Sequence, residues 1–303
     1  MKEHPALKFS LFSGCLLAGL ALVWGGSFFF AEIALRELPP LTLAFYRVLW
    51  ATPVLLFVVW FKRIQWPRGI KVWLSYLVMG GLNNALPFSL IFWGQTHIES
   101  GLAAILNSTT AIFGVIVAGI FLIDERLTCR KVVGIILGFG GVVILIGFRE
   151  LNELELRDLG QIAVMGAALS YAFASVWGKH FLSKHPPIMN AVGMLLSSTI
   201  LMIPVVYYVD GVPPLSLSSD VWGAVLAIAI FCTAFAYFLY FEILVRAGSA
   251  NLMLVTLLIP PVAIGLSYAF LNEKLGNEAG YGFLLIAIGL CVIDGRLVKW
   301  LIK

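Results

Sequence analysis

FLIDERLTCRKVVGI (residues 121–135) and FLNEKLGNEAGYGFL (residues 270–284) share an apolar lead, a short charged pivot and a glycine-bearing apolar tail, about 148 residues apart. Within them Glu125 and Leu127 lie over Glu273 and Leu275 and Gly134 over Gly282, and just beyond them Gly141 lies over Gly289. Working outward, LALVWGGSFFFAEIALRELPP (20–40) lies over ALSYAFASVWGKHFLSKHPP (168–187), anchored on Pro39–Pro40 and Pro186–Pro187, and KVWLSYL (71–77) lies over DVWGAVL (220–226). Any one match is weak. Several in the same order at nearly one offset mark an internal duplication.

The 303 residues are 61% hydrophobic and 12% charged, with a mean hydropathy of +0.99. Soluble domains carry about 25% charged residues, so polar surface is too scarce to cover this chain in water. The class is membrane protein. A spanning helix needs about 20 mostly apolar residues. Ten such runs occur, at 11–32, 40–61, 72–95, 101–123, 131–148, 159–182, 188–209, 220–246, 251–271 and 280–298. They are continuous, whereas barrel strands alternate over about 10 residues, and backbone groups in hydrocarbon then leave only helix. The first run, behind Lys2 and Lys8, is too long for a signal peptide and reads as a span. The predicted fold is an all-α membrane protein: ten transmembrane helices as two inverted five-helix repeats, 1–148 and 159–303, joined by an external acidic linker at 149–158. Five crossings is an odd number, so the second copy starts on the opposite side of the bilayer from the first. That architecture belongs to transporters with a site near the midplane.

Lysine and arginine set the orientation. With the N-terminus inside, fifteen of the 20 cations fall on the cytoplasmic side, among them Lys62, Arg63, Arg68, Lys71, Arg126, Arg130 and Lys131. Four fall outside (Arg36, Arg149, Arg157 and Lys274), and Arg47 lies within the second span. Both termini are expected on the cytoplasmic side. The net charge of +4 then calls for no nucleic-acid partner. Glu32 and Glu37 of the first copy correspond to Lys179 and Lys184 of the second, as a reversal of sides requires.

The chain contains no Cys-x-x-Cys pair, no Walker motif, no metal-ligand cluster and no nucleophile–base spacing. Expected cofactors and metals are none, and the chain is read as a transporter rather than an enzyme.

The sequence resembles the drug/metabolite transporter superfamily, and within it the EamA-type transporters. SGLAAILNSTTAIFGVIVAGIFLIDERLTCRKVVGIILGFGGVVIL (100–145) is similar to the family's most recognisable block, and ANLMLVTLLIPPVAIGLSYAFLNEKL (250–275) to its second copy. LVWGGSFF (22–29) and LAFYRVLWATPVLLF (43–57) resemble the first two helices, with Arg47 in the second. The resemblance implies a ten-helix secondary transporter whose helices one, three, four, six, eight and nine line a cavity. Helices two and seven are implied to lie outside, with five and ten supporting. One departure concerns the fourth helix, where Thr110–Ala111 stand in place of the proline that the second copy keeps as Pro260–Pro261. Unequal bending of the halves is expected if that proline makes a kink.

Within those helices, polar groups in the membrane raise the functional question. Asn84, Ser108 and Thr256 are candidate cavity residues, with interhelical hydrogen bonding as the alternative reading. Trp24, Phe28, Phe88, Tyr171 and Tyr237 are candidate aromatic walls, with lipid-facing packing as the alternative. Trp24 and Tyr171 are repeat counterparts, as are Phe88 and Tyr237. Glu32 and Arg47 are expected to form a structural ion pair or a gate, Arg47 being also a candidate anchor for a substrate carboxylate. Pro260 and Pro261 are candidate hinges, and Glu242 and Arg246 an i, i+4 pair. Gly134 and Gly138 permit close helix approach, within a monomer or across a dimer.

The function expected is export of small amphipathic metabolites, amino acids first among them, from the cytoplasm by alternating access. The alternative is export of drugs or cationic compounds on the same fold. The partners are a small-molecule substrate and the lipid bilayer.

Overall fold

The computed structural model describes residues 11–122, 127–146, 156–247, 252, 255–274 and 276–294. Ten helical spans lie among them. They are α1 (Leu11–Ala34), α2 (Pro40–Phe61), α3 (Ile70–Gln95), α4 (Ser100–Phe121), α5 (Cys129–Ile146) and α6 (Leu156–Trp177, continued by a wide turn over Gly178–Leu182). They continue as α7 (Pro187–Val209), α8 (Ser219–Leu226, Ala227–Phe235 and Ala236–Ala247 in series), α9 (Val255–Phe270) and α10 (Asn277–Asp294). No strand occurs among the described residues. The side chains of the acidic linker and the basic residues at both ends of the chain lie outside the described residues, as does Glu125.

The duplication is visible in how helices begin. Pro39 and Pro186 are both extended, and the prolines that follow open α2 and α7. Proline at the first helical position loses nothing, because its N–H would have no partner there. The end of the bundle where α1 begins is called proximal, and the opposite end distal.

Packing obeys the same near-twofold relation. α1 packs on α8 and α9; the equivalent helix α6 packs on α3 and α4. α2 packs on α8, and α7 on α3. The molecule is therefore two mixed bundles, one of α1, α2, α8 and α9, the other of α3, α4, α6 and α7. Each takes two helices from each repeat. α2 and α7 pack on each other along the seam, so they are not peripheral as the resemblance implied. Only one face of α2, with Trp50, Phe57 and Trp60, is exposed.

α5 and α10 form a separate, tight pair. A Cβ on Gly134 would lie 2.6 Å from the Gly289 carbonyl, and one on Gly289 would lie 2.6 Å from the Gly134 carbonyl. A Cβ on Gly141 would likewise meet the Gly282 carbonyl at 2.6 Å. Gly134 corresponds to Gly282 and Gly141 to Gly289, so the cross-pairing is what a twofold axis between antiparallel helices produces. Gly138 is covered by Ile112. The glycine face is thus used inside the monomer.

The two ends of the bundle differ. At the distal end α9 and α1 both pack on Ser100–Asn107 of α4. Among the described residues, the proximal half of α4, Thr110–Phe121, makes no comparable contact with α9, and neither does α6. Among the described residues, α9 thus meets α4 chiefly through the distal half of α4.

Two features break helices where sequence gave no warning. α3 and α8 each contain a π stretch, Gly81–Ala85 and Ala227–Phe235, at equivalent positions of the two repeats. α4 is interrupted at Ser108–Thr109 without proline. There Ser108, Thr109 and Thr110 donate their hydroxyls to the carbonyls of Ile105, Leu106 and Asn107 at 2.6, 2.6 and 2.7 Å, in competition with the helical ladder. α9 stays helical through Pro260 and Pro261, so the break falls in the repeat that lacks the proline.

On the distal face the 210–218 loop is fastened to the α1–α2 corner. Thr42 donates its backbone N–H and its hydroxyl to Asp210 Oδ2 at 2.9 and 2.7 Å, and the Tyr46 hydroxyl donates to the Pro214 carbonyl at 2.8 Å. Ser218 N–H donates to Glu37 Oε2 at 3.0 Å. Hydrogen bonding from Ser218, its side chain first and its N–H second, holds the Glu37 carboxyl below its ordinary range.

Replacing Gly134 or Gly289 by leucine is expected to overpack the α5–α10 contact and destabilise by about 1–3 kcal/mol or more, read as a lowered melting temperature in detergent. Gly114→Ala, where no atom lies within 4 Å of the added Cβ, serves as the neutral control. A lowered carboxyl pKa stabilises the fold fully above the ordinary carboxylate range, and the effect fades as pH falls through the folded value. Glu37→Gln is therefore expected to lower the melting temperature at neutral pH and to flatten its decline on acidification. The fall should be small, since the bond is solvent-exposed.

Candidate functional site

Arg47 lies seven residues into α2, about 10 Å from its distal start at a rise of 1.5 Å per residue. Ser27 and Phe88 lie equally far from the distal ends of α1 and α3, at Ala34 and Gln95. The Arg47 side chain is 8% exposed. Its Nε donates to Thr233 Oγ1 at 3.0 Å, Nη1 to Ser27 Oγ at 3.0 Å, and Nη2 to the Cys232 carbonyl at 3.5 Å. The guanidinium carbon stands 3.8 Å over the centroid of the Phe88 ring. A charged residue at mid-span costs about 2.5–3.5 kcal/mol on insertion scales. Hydrogen bonds to a charged group return about 1.5–3 kcal/mol each, so two well-formed ones and a cation–π contact hold the arginine in place.

The π stretch of α8 builds this niche. The Thr233 hydroxyl donates to the Ile228 carbonyl, five residues back, at 3.0 Å, which leaves its lone pairs to accept from Arg47. The twofold equivalent is different in chemistry. Met194 of α7 stands where Arg47 stands in α2, and faces the π stretch of α3: Asn83 Nδ2 approaches Met194 Sδ at 3.6 Å and Asn84 Nδ2 donates to Ser198 Oγ at 2.9 Å. The interior charge is present in one repeat only.

Aromatic groups gather around Arg47. Tyr171 and Tyr237 lie within its electrostatic reach. The Tyr237 hydroxyl points to Met194 Sδ at 3.9 Å, and its ring stacks on Phe241, 6.0 Å between centroids. Trp24 packs on Tyr240 at 6.1 Å. Tyr171 and Tyr237 sit deep in the bundle, yet both keep part of their surface accessible, as do Trp24, Tyr240 and Phe241. Side chains that are deep and still accessible face internal space.

Of the residues singled out in the sequence, Phe88, Tyr171, Tyr237 and Arg47 come together, with Trp24 in the adjoining Tyr240 group. Phe28 is buried, and its carbonyl accepts from Gln95 Nε2 at 2.9 Å. Asn84 is fully buried against α7 and ties α3 to it. Ser108 turns its hydroxyl back into its own helix. Thr256 is half-buried, one turn before Pro260. Glu242 and Arg246 do pair at i, i+4, with Arg246 over the Phe12 ring at 5.2 Å.

The expected ion pair of Glu32 with Arg47 is not formed. Ser27, which meets Arg47, and Glu32 are five residues apart on α1, so they point about 140° apart around the helix axis. Glu32 instead shares its surroundings with Arg36, Glu99 and Glu273 at the distal end. There the Glu273 carboxylate accepts from Ser100 N–H at 3.3 Å, Ser100 Oγ at 3.0 Å and Gly101 N–H at 3.4 Å. The Ser100 and Ser267 hydroxyls are 2.6 Å apart. A carboxylate at the first N–H groups of α4 satisfies both their bonding and the helix dipole. Sequence reading missed Ser27, Thr233, Ser100 and Glu273 as a working set. The charged pivot of 270–284 was the one signal that pointed to Glu273.

The EamA-like transporter family model matches the chain twice, over residues 11–147 and 158–294. The "uncharacterized transporter" of Archaeoglobus fulgidus is 30% identical, over 93% of this chain and 96% of its own. The "probable amino-acid metabolite efflux pump" of Escherichia coli is 28% identical, over 92% of this chain and 93% of its own. A solved crystal structure matches 95% of this chain and 98% of its own with a TM-score of 0.68 at 17% identity, a likeness of fold. With the inverted repeat, the membrane-spanning bundle and the family model matching both copies, the chain belongs to the EamA-like transporter family, and is a transporter rather than an enzyme.

Proposed function

We propose that the protein is a secondary transporter that exports small amphipathic metabolites, amino acids first among them, from the cytoplasm by alternating access. The observation that carries this reading is the set of deep yet accessible aromatic side chains, Tyr171, Tyr237 and Tyr240, with Trp24 packed on Tyr240, beside Arg47. Such walls suit an apolar or planar body. The relatives named as probable amino-acid metabolite efflux pumps, in Escherichia coli and Salmonella typhimurium, support the same cargo class. The positive charge of Arg47 at this level opposes cationic cargo.

The excess of lysine and arginine on the proximal side supports a cytoplasmic proximal face in the bacterial inner membrane, with both termini inside. On that orientation the packing of α1 and α9 on Ser100–Asn107 of α4 closes the outer side, as in a state that loads from the cytoplasm. The moving bodies are the mixed bundles, not the two sequence repeats. Ser108–Thr110 of α4 and Pro260–Pro261 of α9 are the places where a weakened ladder lets helices bend. The chain acts as a monomer, its α5–α10 glycine face being filled from within.

In proteoliposomes, saturable protein-dependent counterflow of labelled amino acids is expected, strongest for apolar and aromatic ones. No flux across a broad amino-acid panel would overturn the cargo reading. Ser100→Cys with Ser267→Cys is expected to form a disulfide readily and to arrest flux, with activity returning on reduction. Transport that continues with the cross-link in place would remove the alternating-access mechanism.

A further inference from the structure

We propose that Arg47 is the docking point for a carboxylate on the transported molecule. This rests on the export reading above and narrows it: the cargo carries a carboxylate beside its apolar body, and that group sits at the α2–α8 niche.

Arg47 is buried, yet among the described residues its hydrogen-bond partners are neutral: two hydroxyls and a carbonyl. Charged residues inside a membrane ordinarily pair with one another or with backbone carbonyls; the one carbonyl here is distant, at 3.5 Å, and the carboxylate expected opposite, Glu32, turns away toward the distal end. The charge is therefore held in position without being neutralised. Five N–H donors radiate from a guanidinium in a planar fork. Three of them serve Thr233, Ser27 and Cys232, which fixes the plane, and the remaining capacity matches the two oxygens of a carboxylate. Phe88 covers one face of the fork at 3.8 Å, so an anion approaches in the plane, through an edge.

The neighbours fit the rest of such a molecule. Tyr171 and Tyr237 lie within electrostatic reach of the guanidinium and keep accessible surface, so an apolar or planar body can lie against them while its acid end meets Arg47. The twofold axis would place a second anion site at position 194, but methionine stands there. One charged end and one thioether end give the site a polarity, and cargo enters it in a single orientation.

The test uses the full-length protein in proteoliposomes, with counterflow of labelled phenylalanine and three competitors: 3-phenylpropionate, which lacks the amine, and phenylalaninamide and phenethylamine, which lack the carboxylate. In the wild type, 3-phenylpropionate is expected to compete about tenfold or more better than either carboxylate-free compound. Arg47→Gln is expected to erase that preference, and Arg47→Lys to keep its order with weaker binding. Equal competition in the wild type, or an intact preference in Arg47→Gln, overturns the proposal while leaving export itself standing. Should Arg47→Gln fail to fold, the wild-type series and Arg47→Lys decide. Should the wild type show no phenylalanine flux, the export reading is in question separately, and docking is read by thermal shift in detergent. Stabilisation by 3-phenylpropionate but not phenethylamine, reduced in Arg47→Lys and lost in Arg47→Gln, supports it; equal or absent shifts overturn it.

Discussion

An odd number of crossings per repeat is the constraint from which the rest of the molecule follows. Two copies of a five-helix unit with the same apolar stripes enter the bilayer from opposite sides, so each stripe finds its complement on the other copy. The α1–α9 contact and the α6–α4 contact are one interaction written twice. At α5–α10 the relation becomes close enough to exclude any side chain, with Gly134 against Gly289 and Gly141 against Gly282. Without a hydrophobic driving force between helices in lipid, small residues and backbone proximity take over as the packing principle.

The interior departs from symmetry where chemistry is needed. The same π distortion appears in α3 and α8. In one it accommodates an amide pair facing methionine and serine; in the other it presents a hydroxyl and a carbonyl to a cation. Single-turn π geometry is rare and concentrates at functional positions. Here it solves an electrostatic problem, because widening the helix lets Thr233 bond to Ile228 and to Arg47 at once. The duplicated scaffold thus supplies two equivalent niches, and one substitution, arginine for methionine at positions 47 and 194, makes them unlike.

Hydropathy and the repeat made the ten spans legible, because span length and apolar content answer to the bilayer alone. The Pro39–Pro40 and Pro186–Pro187 pairs marked two helix starts directly. The aromatic counterparts Phe88 and Tyr237 could be picked out by offset, and they do converge on Arg47. What could not be read was direction around each helix once π turns intervene: each shifts the facing of later residues, so Asn84 turned to α7 rather than to the interior. Glu32 was paired with Arg47 by depth, yet five residues of rotation on α1 separate it from Ser27. A kink was expected at Pro260–Pro261 of α9, yet the break falls in α4 and arises from three hydroxyls, whose hydrogen bonds depend on local competition rather than on residue type alone.

The exchange of helices between repeats also bears on how the chain is made. α1 has its principal neighbours in α8 and α9, and α2 divides its packing between α7 and α8; at the Arg47–Thr233 contact the separation along the chain is 186 residues. Synthesis proceeds from the N-terminus, so the first two helices wait in the lipid until most of the polypeptide has left the ribosome. During that interval Arg47 is in the bilayer before Thr233 exists to receive it. The insertion machinery or a snorkelling side chain must shelter the guanidinium until then. Late closure of this kind makes the first bundle the step at which assembly is most exposed to error.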